Sequence, residues 1–457
     1  MNPEFRKQPP APLSPIPFEI SRPFETTLSN GLRVVIFENE RLPLVSYRLA
    51  FFAGDIDERE NGHGLMSAMA LLLTEGTENY SSQQLAEKIE RLGASLSAHS
   101  SFDFTTISAS SLSFYTSAIF EMLSEIVLKP TFPENEIDLY RRNLLENLKF
   151  QRSQPPFLAS EQAARLIYGK HPYSHVSLQP ADVEGITREK LRATHRSTLI
   201  PNNAVMLIVG DVRRDEVIAE LEQHLDGWQS GEKPVRNFAE VPKRTQRSIT
   251  VVDRPDSSQS NIVIANSGLD RLSPDYFPAL VMNQVLGAGA SSRVFMNLRE
   301  EKGYTYGAYT RMDARSLAGD IEATAEVRND VTGESISEFF KEFERIRTEK
   351  VGAEELLDAQ NFLTGVFPIR AETQEGLTTL LLNRELYGLP EDYLQTYRDR
   401  VSAVTVDQVQ DAAQKYIRPD EMAIVVVGDA ASVVPQISRF APTIEIFDTE
   451  GKLVESR

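Results

Sequence analysis

One stretch of this chain occurs twice. Ile186-Thr187, Pro201 and Gly210-Asp211 are echoed by Val404-Thr405, Pro419 and Gly428-Asp429, a constant spacing of 218 residues without a gap. Each copy reads as a threonine-capped helix (Thr187, Thr405), a proline turn, and a short apolar strand at 205–209 or 423–427 that ends in Gly-Asp. Tyr168-Gly169 and Tyr387-Gly388 precede the copies at nearly the same offset. This repetition restricts the chain to folds built from two like halves, each of about 215 residues and long enough to bury its own core.

Within the first half, strand patterns at 32–37 and 45–52 come before helices at 64–73 and 82–92, the second capped by Ser81 or Ser82. Strand patterns return at 95–101 and 104–111, and helices dominate 115–150. In the second half, strands at 248–253 and 261–265 precede a helix at 278–286. Blocks of strands and of helices predict an α+β fold with helices layered on a mixed sheet. The predicted division is an extended Pro-rich segment (1–23), a first domain (24–230), a linker (231–246) and a second domain (247–457).

Charge narrows the function. The 48 Lys and Arg against 66 Asp and Glu give −18, which argues against a nucleic-acid partner, because phosphate binding needs a basic footprint. The absence of cysteine excludes disulfides, thiolate metal sites and cysteine nucleophiles. No apolar run reaches the roughly 18 residues that a membrane span needs. The first residues lack the apolar core of a signal peptide and fit a terminus exposed by cleavage, so a periplasmic location is expected ahead of a cytoplasmic one.

The segment Gly64-Leu-Met-Ser67-Ala-Met-Ala70-Leu71-Leu-Leu-Thr-Glu-Gly76-Thr77 has the frame of an inverted zinc-peptidase helix, H-x-x-E-H followed by Gly-Thr. Ser67, Ala70 and Leu71 stand where the two histidines and the glutamate would be. Zinc needs imidazole, carboxylate or thiolate donors, and a general base needs a titratable group. These three side chains supply neither. His63 reads as a loop residue, and His171-Pro-Tyr-Ser-His175 as a turn rather than a helical metal pair.

The chain resembles peptidase family M16, the insulysin, pitrilysin and mitochondrial-processing-peptidase group. Four features carry the likeness across residues 24–440: Leu28-Ser-Asn-Gly31-Leu-Arg-Val-Val, the Gly64–Thr77 frame, the segment from Gly287-Ala-Gly289 through Arg299 to Tyr306-Gly, and the repeated Val-Gly-Asp strand. The resemblance implies two similar domains forming a half shell, with a second half shell facing it around a peptide chamber. It places the family's distal glutamate ligand at Asn147, a poor donor for zinc. Glu146, one residue away, is turned about 100° from that face of a helix. All the metal ligands and the base are then missing from this chain together.

The resemblance also assigns Arg299 and Tyr306, seven residues apart, to substrate contact and oxyanion stabilisation. Gly287 and Gly289 stand where a noncatalytic processing subunit carries a substrate loop. Residues 93–103 correspond to the edge strand that takes peptide in zinc-bearing halves. The expected role is a non-zinc subunit of a heterodimeric metallopeptidase, inactive alone. Zinc is expected in a homologous partner with an intact H-x-x-E-H, and the expected ligand is a peptide. Two other readings remain: an inert structural subunit resembling the core proteins of respiratory complex III, and an independent zinc peptidase with an unusual site.

Overall fold

Strand pairing repeats the duplication seen in the sequence. In the first half β1 (Phe24–Thr27), β2 (Arg33–Glu38), β3 (Leu44–Phe51), β4 (Ser95–Ser100), β5 (Thr105–Leu112) and β6 (Ala204–Gly210) form one sheet in the order β1-β2-β6-β3-β5-β4. In the second half β7 (Ser248–Asp253), β8 (Gln259–Ser267), β9 (Thr305–Ala314), β10 (Gly319–Arg328), β11 (Ala423–Gly428), β12 (Ile444–Phe447) and β13 (Leu453–Ser456) form another, ordered β13-β12-β7-β11-β8-β10-β9. The order β2-β6-β3-β5-β4 thus recurs as β7-β11-β8-β10-β9. The parallel pair β2–β6 recurs as β7–β11, and the antiparallel pair β3–β6 as β8–β11. This computed structural model describes residues 19–58 and 62–456. The extended Pro-rich reading of 1–23 falls mostly outside them. No helix or strand occurs from 231 to 245.

The glycine of the first Gly-Asp has a steric cause. Gly210 has φ +144°, and a Cβ there would lie 2.1 Å from the Leu44 carbonyl oxygen. Only glycine lets β6 approach β3 so closely. Thr187 and Thr405 cap their helices as expected, each accepting from the amide three residues on. Ser81 caps the helix Ser82–Arg91, with Gln84 completing a capping box.

Helices α1 (Leu65–Leu72), α2 (Ser82–Arg91), α3 (Thr116–Leu128) and α4 (Glu134–Arg152) belong to the first half. Together with Leu191, Leu221 and Trp228 they bury one face of the first sheet. The other face is covered from the far half. Leu377 and Leu381, on the helix Gln374–Leu386, pack with Tyr393 and Leu394 onto Val35, Val205, Leu207 and Val209. The reciprocal helix, α5 (Pro155–Tyr168), leaves the first half and lays Leu158, Ala163 and Ile167 on Val252, Val263, Val425 and Val427 of the second sheet. These two helices end at the repeated Tyr-Gly pairs. The exchange explains why β6 and β11 are buried along their whole length and read as unbroken apolar runs.

Where the halves touch, two hairpin tips meet. The Ser316 amide donates to Asp103 Oδ2 (3.2 Å), and the Tyr173 hydroxyl donates to Asp103 Oδ1 (2.6 Å). The Arg315 guanidinium lies over Phe102, Tyr168 and Tyr173 and reaches Asp320 at 3.4 Å. Arg236, between the two sheets in sequence, binds Asp57 (2.7 Å) and the Asp103 carbonyl (2.7 Å). The node joins the ends of β4 and β9, the outermost strands of the two sheets.

Each half alone would expose the sheet face that the other half's helix covers, at about 1.5–3 kcal/mol per uncovered large apolar side chain. Residues 19–230 expressed alone are expected to show no cooperative melt by calorimetry, and co-expression with 247–456 to restore one. In the intact chain, Leu381→Ala is expected to cost about 2–5 kcal/mol in chemical denaturation.

Candidate functional site

The α1 helix starts from a buried acid. Glu58 accepts from the amides of Gly64 (2.9 Å) and Met66 (2.7 Å), groups the helix leaves unpaired at its amino end. Its side chain is only 4% exposed. Burial pushes its carboxyl up to about 8, opposed by the Met66 amide and reinforced by Asp55. Asp55 is raised by burial too, although the Ser100 hydroxyl (2.7 Å) and the Ser67 hydroxyl (3.3 Å) donate to it. Tyr140 on α4 is pushed up to about 12 by burial, then by Asp55 and Glu58.

Zinc does not fit this locus. The Ser67 hydroxyl is committed to Asp55, Ala70 is fully buried, and Leu71 points a half-exposed alkyl chain outward. Asn147 is exposed on α4, and Glu146 beside it pairs with Lys149 at 2.7 Å. His63 and His175 do come together, ring centroids 4.3 Å apart, a contact that sequence spacing does not reveal. Burial lowers His175, and its neighbour His63 lowers it further. His171 lies apart from this pair, buried, with its Nδ1 accepting from the Tyr173 amide at 3.2 Å. Among the described residues no group of three His, Cys, Asp or Glu side chains could hold a metal ion. No described helix is long and apolar enough to cross a membrane.

The Arg299–Tyr306 pair is built on two irregularities. Arg299 rides on a π-helical turn, Met296–Glu301. Buried Asn297 pins that turn by donating to Glu338 (2.9 Å) and Glu342 (2.7 Å), and Arg293 adds a two-pronged bond to Glu355. Tyr306 sits in a bulge of β9: Tyr306 and Gly307 together face the single residue Glu326. A bulge re-aims a side chain, and Tyr306 is 87% exposed. The Arg299 guanidinium donates to the Tyr306 carbonyl and to Glu300 (3.2 Å). Five donors leave part of the guanidinium available to a ligand beside the Tyr306 hydroxyl.

Gly287 ends the helix Tyr276–Leu286 and is buried against β9. A Cβ there would meet the Thr310 amide nitrogen at 2.5 Å, and that amide donates to the Gly287 carbonyl (2.9 Å). Its glycine is thus demanded by packing on the strand that carries Tyr306. Gly289 is half-exposed in the same turn, where a Cβ would meet Gln284 at 3.1 Å. Sequence reasoning missed Asp55, Glu58 and the bulge. The acid run Asp55-Ile-Asp57-Glu58 ahead of Gly64 was the available signal for the first two.

Residues 33–181 match the model of the insulinase family (peptidase family M16), and residues 185–363 that of the peptidase M16 inactive domain. A Helicobacter pylori protein described as non-peptidase homolog YmxG is 22% identical over 398 residues, 87% of this chain and 91% of its own length. A Bacillus subtilis protein described as uncharacterized zinc protease YmxG is 21% identical over 398 residues, covering 86% and 95%. The crystal structure of a peptidase M16 inactive domain from Pseudomonas fluorescens superposes with TM-score 0.84 at 26% identity, over 90% of this chain and 98% of that one.

The Glu58 carboxyl gives a pH signature. Its folded pKa lies above the ordinary 4.5, so the folded chain holds the proton more tightly than the unfolded chain. Stability from this group is therefore full in acid and is lost as pH rises from about 4.5 to about 8. Glu58→Gln carries no charge and is expected to gain on wild type in thermal denaturation between pH 5 and pH 9. A difference in melting temperature that stays flat across that range would contradict the assignment.

Proposed function

The chain belongs to peptidase family M16, and from that premise we propose that it is the non-zinc subunit of a heterodimeric M16 metallopeptidase. Its half shell completes a peptide chamber whose other wall is a homologous chain with an intact H-x-x-E-H. The observation that carries this reading is the contrast between its two sites. The helix that should hold a cation has Ser67, Ala70 and Leu71 in the donor positions, whereas Arg299 and Tyr306 stand on a pinned π turn and a strand bulge. In such a pair the guanidinium and the phenol donate to a carbonyl oxygen of bound peptide. Donors fixed in advance stabilise negative charge developing there without reorganising.

An inert structural subunit is the second reading. One observation favours it: the Arg299 guanidinium already spends donors on the Tyr306 carbonyl and on Glu300. The two readings separate in a reconstituted pair.

The purified chain is expected to cleave no peptide in a chelator-sensitive way. Activity is expected on co-expression with a homologue carrying H-x-x-E-H. Tyr306→Phe and Arg299→Ala in that pair should each lower kcat by about 10²-fold, the scale of losing one oxyanion donor. Unchanged kinetics in both variants would favour the scaffold, and chelator-sensitive proteolysis by the isolated chain would overturn the proposal.

A further inference from the structure

At one end of the first sheet the chain exposes four large apolar side chains: Leu42 (51%), Leu44 (40%), Leu112 (45%) and Phe114 (88%). They belong to one surface. Leu44 and Leu112 are register partners across β3 and β5. The Ser113 amide donates to the Pro43 carbonyl (3.0 Å) and ties the two loops together. Beside them opens a cavity of about 540 Å³, walled by Leu42, Leu44 and Val45 on one side and by Glu372, Gln374 and Glu375 on the other.

The duplication supplies an internal control. Gln259 pairs with Arg328 as Leu44 pairs with Leu112, and the 3-10 turn Asn329–Val331 repeats Ser113–Tyr115. By this register Leu42, Leu44, Leu112 and Phe114 correspond to Ser257, Gln259, Arg328 and Asp330. The second half is polar at all four positions, and Arg328 and Asp330 pair with each other at 3.3 Å. The fold therefore does not need apolar side chains here.

We propose that this surface is a self-association site on which a second copy of the chain docks about a two-fold axis, Phe114 of each copy entering the cavity of the other. Two arguments select a second copy. The exposed fractions amount to roughly 400 Å² of apolar surface, close to the apolar part of the about 800 Å² that each partner buries in a standard interface. The rim carries both signs in exposed groups, Arg41 (69%) next to Glu372 (63%) at 3.6 Å, and Glu375 (62%) paired with Arg48. A two-fold axis brings the same rim, with both signs, from each copy together, so neither copy meets a rim of one sign only. A patch of this size is on the scale of the largest apolar patch of a typical monomer, about 300–600 Å², which is often functional. The surface does not include Arg299 or Tyr306.

Sedimentation equilibrium of the full chain tests the proposal. Wild type is expected to reach the dimer mass at tens of micromolar. L42S/L44Q/L112R/F114D, which installs the second half's own residues, is expected to stay monomeric with an unchanged melting temperature. Phe114→Ser alone is expected to weaken dimerisation by at least about tenfold, which serves if the fourfold variant folds poorly. Arg299→Ala is expected to dimerise as wild type does. A monomeric wild type at these concentrations, or a dimer that survives Phe114→Ser unweakened, overturns the proposal. A monomer that co-sediments with phosphatidylcholine vesicles overturns it as well and assigns the patch to a lipid surface.

Discussion

The exchange of α5 and the helix Gln374–Leu386 between halves is the contact on which the rest depends. Each sheet has one face filled by its own helices and the other filled by a helix grown from the opposite half. Burial on both faces is what makes β6 and β11 wholly apolar. It also fixes how the two sheets lie against each other, because neither helix can leave without uncovering a row of valines and leucines. The halves are repeats in sequence but one unit in packing.

That rigid seating gives the polar groups at the junction their meaning. Arg315, held over three aromatic rings, and Asp103, bonded from Tyr173 and from the far hairpin, join the ends of the two outermost strands. β4 runs alongside the α1 locus, and β9 carries the Tyr306 bulge. The distance between the emptied cation position and the Arg–Tyr pair is thus set by packed and hydrogen-bonded structure rather than by the irregular 231–245 connection. Asp320, pushed up by burial and then by Glu322, lies at this node between Arg311 and Arg315.

Much of this was readable in the residues. Strand β7 coincides with its predicted span, and other elements begin or end within about two residues of theirs, as is usual where helix ends fray. The threonine caps follow from local chemistry, and so does the loss of donors at Ser67, Ala70 and Leu71. The remainder is non-local. Neither α5 nor the helix Gln374–Leu386 is among the predicted elements, and periodicity alone does not say against which sheet a helix packs. The His63–His175 contact joins residues far apart in the chain. The bulge at Tyr306 shows only when β9 is laid against β10. Glu58 lies seven residues before the start of α1, whose first amides it binds, beyond the reach of an ordinary capping pattern.

The central claim is chemical: among the described residues, the first half of this chain has no set of side chains able to grip a divalent cation. Native mass spectrometry after equilibration with zinc tests it most directly, on the chain alone and then paired with a homologue bearing H-x-x-E-H. The account predicts the bare polypeptide mass for the first and a single zinc per pair for the second. One zinc held stoichiometrically by the chain alone would contradict it.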